Sequence, residues 1–246
     1  MATYNERENI GRLIEEIHQF APQAHILVVD DNSPDGTGKL VDELAARDPR
    51  IHALHRAGKL GLGTAILAAM NYAMEYNYDL LVNMDADFSH PARYLPAMLA
   101  GMADHEVMIG SRYVPGGGTT NWPISRRAIS QSVNCVVRSL FRMQVRDASG
   151  GYRCYRVSKL RQTHLDHLYS RGYSFQQEVL YRCYLAGCRI GETPIIFENR
   201  KFGKSKVSMK ESVRSLSTIA YLGVRSLFGM DKDAARLKRD GAVSAR

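Results

Sequence analysis

Two pairs of carboxylates stand where apolar runs end. Asp85-Ala86-Asp87 follows Tyr78-Asp79-Leu80-Leu81-Val82-Asn83-Met84, and Asp30-Asp31 follows His25-Ile26-Leu27-Val28-Val29. Carboxylates two residues apart at a strand end can share one divalent cation and the diphosphate it neutralises, and oxygen-only ligands favour Mg²⁺ or Mn²⁺. A lone D-x-D triplet is commonly a solvated turn. Placed directly after an apolar strand and before Phe88-Ser89-His90-Pro91, it carries more weight. The Asp30-Asp31 pair leads into Asn32-Ser33-Pro34-Asp35-Gly36. That arrangement suits either a nucleotide site, where an acid accepts base or ribose hydrogens, or a helix cap and turn. Gly58-Lys59-Leu60-Gly61-Leu62-Gly63 is glycine-rich but fits neither G-x-G-x-x-G nor G-x-x-x-x-G-K-S/T, so the Rossmann and P-loop readings both fail.

These residues need elements to hold them. Ile10, Leu13, Ile14 and Ile17 recur at helical spacing within residues 6–20, and helical periods return over 36–47, 61–76 and 94–103. Between them lie short apolar runs at 25–31, 51–54, 78–84 and 106–110. Strands alternating with helices predict an α/β fold with a mostly parallel, doubly wound sheet, in which ligands sit at the carboxyl ends of the strands. Both acidic pairs lie there. A helix starting at residue 6 should be fed by a strand, and only Met1 to Tyr4 precede it. The expectation is a chain that starts within the loop after its first strand. Beyond residue 110 come a loop with Pro115-Gly116-Gly117-Gly118, a helix over 126–143, a helix over 172–187 and a strand pair or edge strand over 189–197. The 126–143 helix mixes apolar residues with Arg126, Arg127, Arg138 and Arg142, so it reads either as a core helix or as one lying on a membrane interface.

The chain has 246 residues, 45% hydrophobic and 24% charged, which argues against wholesale disorder. No run reaches the ~18 apolar residues of a spanning helix, and residues 1–8 lack the layout of a signal peptide. The net charge of +8 is regional. Residues 1–106 hold 8 basic and 16 acidic residues, 107–199 hold 13 and 5, and 200–246 hold 12 and 4. An acidic front and a basic back suggest a carboxylate or metal half joined to a half that meets an anionic partner. Cys135, Cys154, Cys183 and Cys188 show no metal spacing and read as reduced thiols in a reducing compartment.

Taken in order, Thr3-Tyr4-Asn5-Glu6, the segment from Val28 to Thr37, Gly61-Leu62-Gly63-Thr64-Ala65 and the segment from Asp85 to Pro91 resemble the inverting family 2 glycosyltransferases of GT-A fold. Five later segments narrow the likeness: Gly110-Ser111-Arg112-Tyr113, residues 121–127, 147–153 and 172–178, and Arg200-Lys201-Phe202-Gly203-Lys204-Ser205-Lys206. With them the chain is similar to the polyprenol-phosphate (dolichol-phosphate) mannose synthases over residues 2–206.

The resemblance implies GDP-mannose as donor, a polyprenyl or dolichyl monophosphate as acceptor and Mg²⁺ or Mn²⁺ as cofactor. It implies that Ala2, Tyr4, Glu6, Val29 and Asp31 hold the guanosine, Asp31 being the acid that reaches the base. Asp85, Ala86 and Asp87 would meet ribose, diphosphate and metal, with Asp87 the principal metal ligand, Asp85 beside it and Ser89 assisting. Arg112, Arg200 and Lys206 would surround the donor diphosphate and the acceptor phosphate, with Arg126 and Ser130 also at the acceptor phosphate. Asp87, Arg112, Arg200 and Lys206 form the implied catalytic set. Family members often carry Pro where this chain has Ala2.

The implied organisation is a GT-A domain over 1–206, a basic amphipathic helix over 207–230 that either lies on the membrane or packs on the core, and a disordered tail over 231–246. The protein would sit peripherally on the cytoplasmic membrane face, or be held there by a separate membrane-anchoring partner, and would bind no nucleic acid. Within enzymes the rival is a glucosyltransferase acting on polyprenyl phosphate, or another family 2 transferase. Outside them it is a non-catalytic basic protein that binds membrane or nucleic acid, which would leave the two strand-end acid pairs unexplained.

Overall fold

The i, i+3, i+4, i+7 apolar spacing of Ile10, Leu13, Ile14 and Ile17 buries all four side chains against one sheet face in a computed structural model of the protein. The structure describes residues 1–170, 172, 174–199, 218, 220, 221, 223 and 224. The elements run β1 (Ala2–Thr3), α1 (Arg7–Phe20), β2 (Ile26–Asp30), α2 (Thr37–Ala45), β3 (Ile51–His55), α3 (Leu62–Glu75) and β4 (Leu80–Asn83). They continue as α4 (Leu95–Gly101), β5 (Val107–Ser111), β6 (Gly118–Thr119), α5 (Ile124–Phe141), β7 (Arg153–Arg156), α6 (Val157–Leu160), α7 (Phe175–Leu185), β8 (Ile190–Pro194) and β9 (Ile196–Phe197).

The strands form a parallel sheet β1-β2-β3, a mixed sheet β4-β7-β5-β8 and a small parallel pair β6-β9. Side chains alternate across the central strands. On β5, Val107 and Ile109 enter the core under α3, α5 and α7, while Met108 enters the core under α1 and α4; on β7, Tyr155 and Cys154 divide the same way. The result is an α/β sandwich with helices on both sheet faces, as the alternation of periods predicts.

Three expectations are altered. Ala2 and Thr3 are not loop: they pair with Val29 and Asp30 as a two-residue first strand. The segment Arg153-Cys154-Tyr155-Arg156, which lacks an apolar run, is the antiparallel strand β7 between β4 and β5. Its lead residue Arg153 is fully buried, with its guanidinium donating to the carbonyls of Ala148 and Gln176. The expected 172–187 helix is shorter, beginning at Phe175.

Among the described residues no helix is long and apolar enough to cross a membrane. Of the expected 207–230 helix, residues 218, 220, 221, 223 and 224 are helical, with Gly223 against Leu140 of α5 and Tyr221 edge-on to Tyr169. The rest of that helix and the expected disordered tail lie outside the described residues.

Candidate active site

The carboxyl end of β2 and the loop before α1 are stitched together by short polar side chains. Asp30 accepts from the Thr3 hydroxyl (2.9 Å), the Ser33 hydroxyl (2.5 Å) and the Ser33 amide (2.9 Å). Asp35 accepts from the Thr37 amide and hydroxyl and from the Arg7 amide. Burial alone would raise the Asp35 pKa, but these donors hold it below the ordinary carboxylate range. Asp30 and Asp35 are therefore fasteners of the turn and of the α2 start.

Asp31 differs from its neighbour. Its Oδ1 lies 3.2 Å from Arg56 Nε and is ion-paired there, yet this buried oxygen has no hydrogen-bond partner among the described residues, and neither does Arg56 Nη1. Burial raises the Asp31 pKa, with Arg56 pulling the other way. Lys59 sits 4.9 Å over the Tyr4 ring, and Glu6, which is buried, accepts from Asn9 Nδ2 at 2.7 Å. Val29 is wholly buried between β2 and α3 with Ala65 and Ala69, and Ala2 packs at the edge of that cluster.

After β4 the chain makes a tight loop. Phe88 takes a left-handed φ of +64° with its ring buried, which turns the backbone so that Ser89 doubles back on Asp87. The Ser89 hydroxyl and amide donate to Asp87 Oδ1 at 2.5 and 3.1 Å, fixing that carboxylate. Ala86 is buried beneath, and Asp85 keeps 43% of its side chain exposed. The Asp85 amide donates to His90 Nδ1 (2.9 Å), so the ring proton sits on Nε2. Burial holds His90 below the ordinary histidine range, against the opposing pull of Asp85 and Asp87.

Arg112 emerges from the end of β5 into a carboxylate clamp. Its Nε and Nη2 donate to the two oxygens of Asp147, each at 2.7 Å, its amide donates to Oδ2 at 3.0 Å, and Nη2 also reaches Ser149 Oγ at 2.8 Å. Burial disfavours both charges, but the pairing keeps Asp147 below and Arg112 above their ordinary pKa values. Asp147 is itself held by Glu192 of β8, which accepts the amides of Arg146 and Asp147.

Aromatic rings join this clamp to the acid loop. His90 stacks on Tyr152 at 5.0 Å and meets Phe197 edge-on at 5.4 Å; Phe197 meets Trp122 at 5.3 Å, and the Arg112 guanidinium lies 5.3 Å from the Trp122 ring. Arg126 covers Trp122 at 3.9 Å. A run of ring contacts thus links the loop of Asp85, Asp87 and Ser89 to Arg112 and Arg126 by way of β9 and the segment before α5. Ser130 lies one helical turn beyond Arg126. Arg200 and Lys206 lie outside the described residues.

Several residues given no role in the sequence reading belong here: Arg56, Asp147, Glu192, His90 and Gln176. Gln176, at the start of α7, places its amide nitrogen beside Gly151, and its buried Oε1 has no partner among the described residues. Next to the clamp, Tyr113, Gln131, Asn134, Cys135, Arg138 and Arg146 line a cavity of about 410 Å³. The Tyr113 hydroxyl and both amide atoms of Asn134 are buried there without hydrogen-bond partners among the described residues. Orphaned buried polar atoms are costly. Here they gather around one cleft, where a polar ligand would satisfy them. Among the described residues no cluster of three or more His, Cys, Asp or Glu side chains could hold a metal alone. Asp85 and Asp87 nevertheless form a hard, oxygen-only pair that fits Mg²⁺ or Mn²⁺ once phosphate oxygens complete the set.

Residues 1–167 match the family described as glycosyl transferase family 2. The chain is 43% identical over 225 residues to the polyprenol monophosphomannose synthase of Mycolicibacterium smegmatis, covering 91% of this chain and 85% of that protein. It is 44% identical over 206 residues to the undecaprenyl-phosphate mannosyltransferase of Micrococcus luteus, covering 84% and 85%. Among solved structures it is similar to glucosyl-3-phosphoglycerate synthase from Mycobacterium tuberculosis in complex with Mn²⁺, UDP and phosphoglyceric acid, with a TM-score of 0.61 at 14% identity over 92% of this chain and 75% of that one.

Proposed function

The chain belongs to glycosyl transferase family 2, and from that premise we propose that it transfers mannose from GDP-mannose to a polyprenyl monophosphate, giving a polyprenyl β-mannosyl phosphate. The observation that carries the reading is the contact chain from the Asp85-Ala86-Asp87 loop through His90, Phe197 and Trp122 to the Arg112 clamp. It sets a carboxylate pair suited to a metal diphosphate beside a fixed guanidinium suited to a phosphate. The names of the two mannosyltransferase relatives support the sugar and the lipid acceptor.

In this proposal the nucleoside lies along β1 and β2. Asp31 accepts hydrogens from the base, Arg56 holds Asp31, and Tyr4, Glu6, Ala2 and the backbone near Val29 shape the pocket. Asp87, with Asp85 beside it and Ser89 fixing it, would hold Mg²⁺ or Mn²⁺; when bound, the ion neutralises charge on the leaving diphosphate. The acceptor phosphate oxygen is already anionic near neutral pH, so the site needs no strong general base. That oxygen forms a bond to the anomeric carbon as the bond from that carbon to the diphosphate breaks, and the electron pair leaves with GDP. Attack opposite the leaving group inverts the centre.

The remaining task is electrostatic: two phosphates that repel must approach. Arg112, Arg126 and Ser130 would meet the acceptor phosphate, with Arg200 and Lys206 completing the catalytic cations. The Tyr113, Asn134, Arg138 and Arg146 cavity, cationic and lined by polar atoms without partners among the described residues, would take remaining oxygens of the acceptor phosphate. Because Asp147 occupies Nε and Nη2 of Arg112, the guanidinium presents a fixed remaining face and loses little entropy on binding.

For membrane contact, α5 exposes Ile124, Ile129 and Val136 beside its arginines, and the basic 207–230 segment would join it on the cytoplasmic face. Ile129 and Val136 are seven residues apart, two turns along one side of α5. The test is transfer of radiolabelled sugar to undecaprenyl phosphate from GDP-mannose and UDP-glucose side by side, with Mn²⁺, in wild type and Asp87→Ala. The reading expects a lipid product from GDP-mannose only, lost in the variant. A product from UDP-glucose alone overturns the donor, and no dependence on Asp87 overturns the site.

A further inference from the structure

The segment from Asp147 to Gly151 links the two halves of the site. At one end Asp147 holds Arg112, and at the other Asn83 Nδ2 donates to the Gly151 carbonyl at 2.7 Å. Gly151 stands where three side chains meet: a β-carbon there would lie 3.5 Å from His90 Cε1, 3.7 Å from Gln176 Nε2 and 3.9 Å from Asp85 Oδ1. We propose that Gln176 is a specificity-determining residue for the donor sugar, its amide hydrogen-bonding a hydroxyl of a sugar seated against the bare α-carbon of Gly151. This rests on the sugar transfer argued above and names a residue that reads the sugar.

Gln176 is 7% exposed, and its Oε1 is buried without a hydrogen-bond partner among the described residues. An unpaired buried amide oxygen is destabilising, so packing alone gives no reason for Gln at this place. The residue is also held firmly. The fully buried Arg153 donates from its guanidinium to the carbonyls of Gln176 and Ala148, tying the start of α7 to the Asp147 segment. Position then selects the sugar. Asp85 and Asp87 are assigned to the leaving diphosphate and Arg112 to the acceptor phosphate; the transferred group has to lie between them, and Gly151 is on the segment that joins them. Chemistry selects it too. A phosphate oxygen only accepts, so it could use Nε2 but never Oε1. A hydroxyl both accepts and donates: it can accept from Nε2 or, after a half-turn of the amide, donate to Oε1, and the partly exposed Asp85 carboxylate offers a second acceptor at the same gap. With no side chain at Gly151 a sugar ring can approach closely. A methyl group there would take up that space while making only ordinary contacts with His90, Gln176 and Asp85.

The experiment compares the full-length wild type with Gln176→Leu, which keeps the bulk and removes the amide, and with Gly151→Ala. Melting midpoints, dissociation constants for GDP and GDP-mannose with Mn²⁺, and transfer kinetics are measured, the last with GDP-mannose and with its 2-, 3-, 4- and 6-deoxy forms. Gln176→Leu should melt no lower than wild type, since an apolar group replaces an unpaired buried amide. It should bind GDP within about twofold of wild type, yet lose about 10-fold or more in affinity and in kcat/KM for GDP-mannose. That loss should vanish with one deoxy donor, the one lacking the hydroxyl that Gln176 reads. Should Gln176→Leu fail to fold, Gly151→Ala makes the same comparison: weakened GDP-mannose with GDP spared supports the contact, and equal weakening overturns it. For Gln176→Leu, equal losses on GDP and GDP-mannose, or one loss common to every deoxy donor, make the residue structural and overturn the proposal. No loss at all leaves its amide to solvent and overturns it as well. UDP and UDP-glucose are run in parallel. A wild type that uses UDP-glucose alone overturns the donor reading; a Gln176→Leu loss on UDP-glucose that spares UDP then still supports the sugar contact, and equal losses on that pair overturn it.

Discussion

Replacing Asp147 by Asn keeps the shape of the clamp and removes its charge. The carboxylate is fully buried, Arg112 is 8% exposed, and besides that guanidinium Asp147 accepts the amides of Arg112 and Gly150. Removing one partner of a buried pair costs roughly 3–5 kcal/mol, because the other charge is left uncompensated. For a chain of this size each kcal/mol moves the melting midpoint by about 2–4 °C, so D147N should melt about 6–20 °C lower. Removing both charges, as in R112M with D147L, should recover part of that loss: apolar residues of similar volume replace a buried ion pair well, while the amides of Arg112 and Gly150 lose their acceptor. Transfer should not recover with it: the double variant is expected to stay at least about 100-fold below wild type, having lost a preorganised charge at the transferring group. Thermal denaturation and labelled-sugar transfer on the wild type, D147N and the double variant read the two effects separately. A double variant that regains activity along with stability would refute the assignment of Arg112 to phosphate and leave the pair a purely structural one.

Other expectations follow from the same geometry. Asp30→Asn should lower stability by about 1–3 kcal/mol in a denaturant titration, because the buried carboxylate has three donors to satisfy, whereas Asp31→Asn, which leaves buried Arg56 without its ion-pair partner, should lower stability and also raise the KM for donor about tenfold. Asp31 binds the base as a carboxylate and its pKa is raised in the folded protein, so kcat/KM for donor should fall with falling pH above the ordinary carboxylate range. Arg56→Gln removes the group that opposes that rise, so it should move the fall to still higher pH in a pH profile. Ser89→Ala frees the Asp87 carboxylate and should raise the Mn²⁺ concentration needed for half-maximal transfer by about 10-fold or more, with kcat at saturating metal much less affected.

The acid loops were legible because each ends an apolar run, and a strand that stops at a carboxylate places it at the ligand-binding edge of a parallel sheet. The helices were legible for the same reason, through period alone. What sequence patterning could not supply was partnership over distance. Asp147 looks like any loop acid until Arg112, 35 residues earlier, folds onto it. Glu192 matters only because β8 lies beside β5. Strand β7 hides because Arg153 occupies a buried place that patterning reserves for apolar residues, tolerated here by carbonyls that take its protons. Asp30 and Asp31, adjacent and chemically identical, part company only once Thr3 and Ser33 are seen to occupy the first and Arg56 the second.

In the proposed reaction an acceptor phosphate oxygen displaces the nucleoside diphosphate directly from the anomeric carbon of mannose. This displacement is tested most directly by supplying GDP-mannose labelled with ¹³C at that carbon, together with undecaprenyl phosphate, and reading the lipid product by NMR. A single product is expected, with the labelled carbon coupled to phosphorus and in the β configuration. An α-configured product, or a labelled carbon without coupling to the lipid phosphorus, would contradict it.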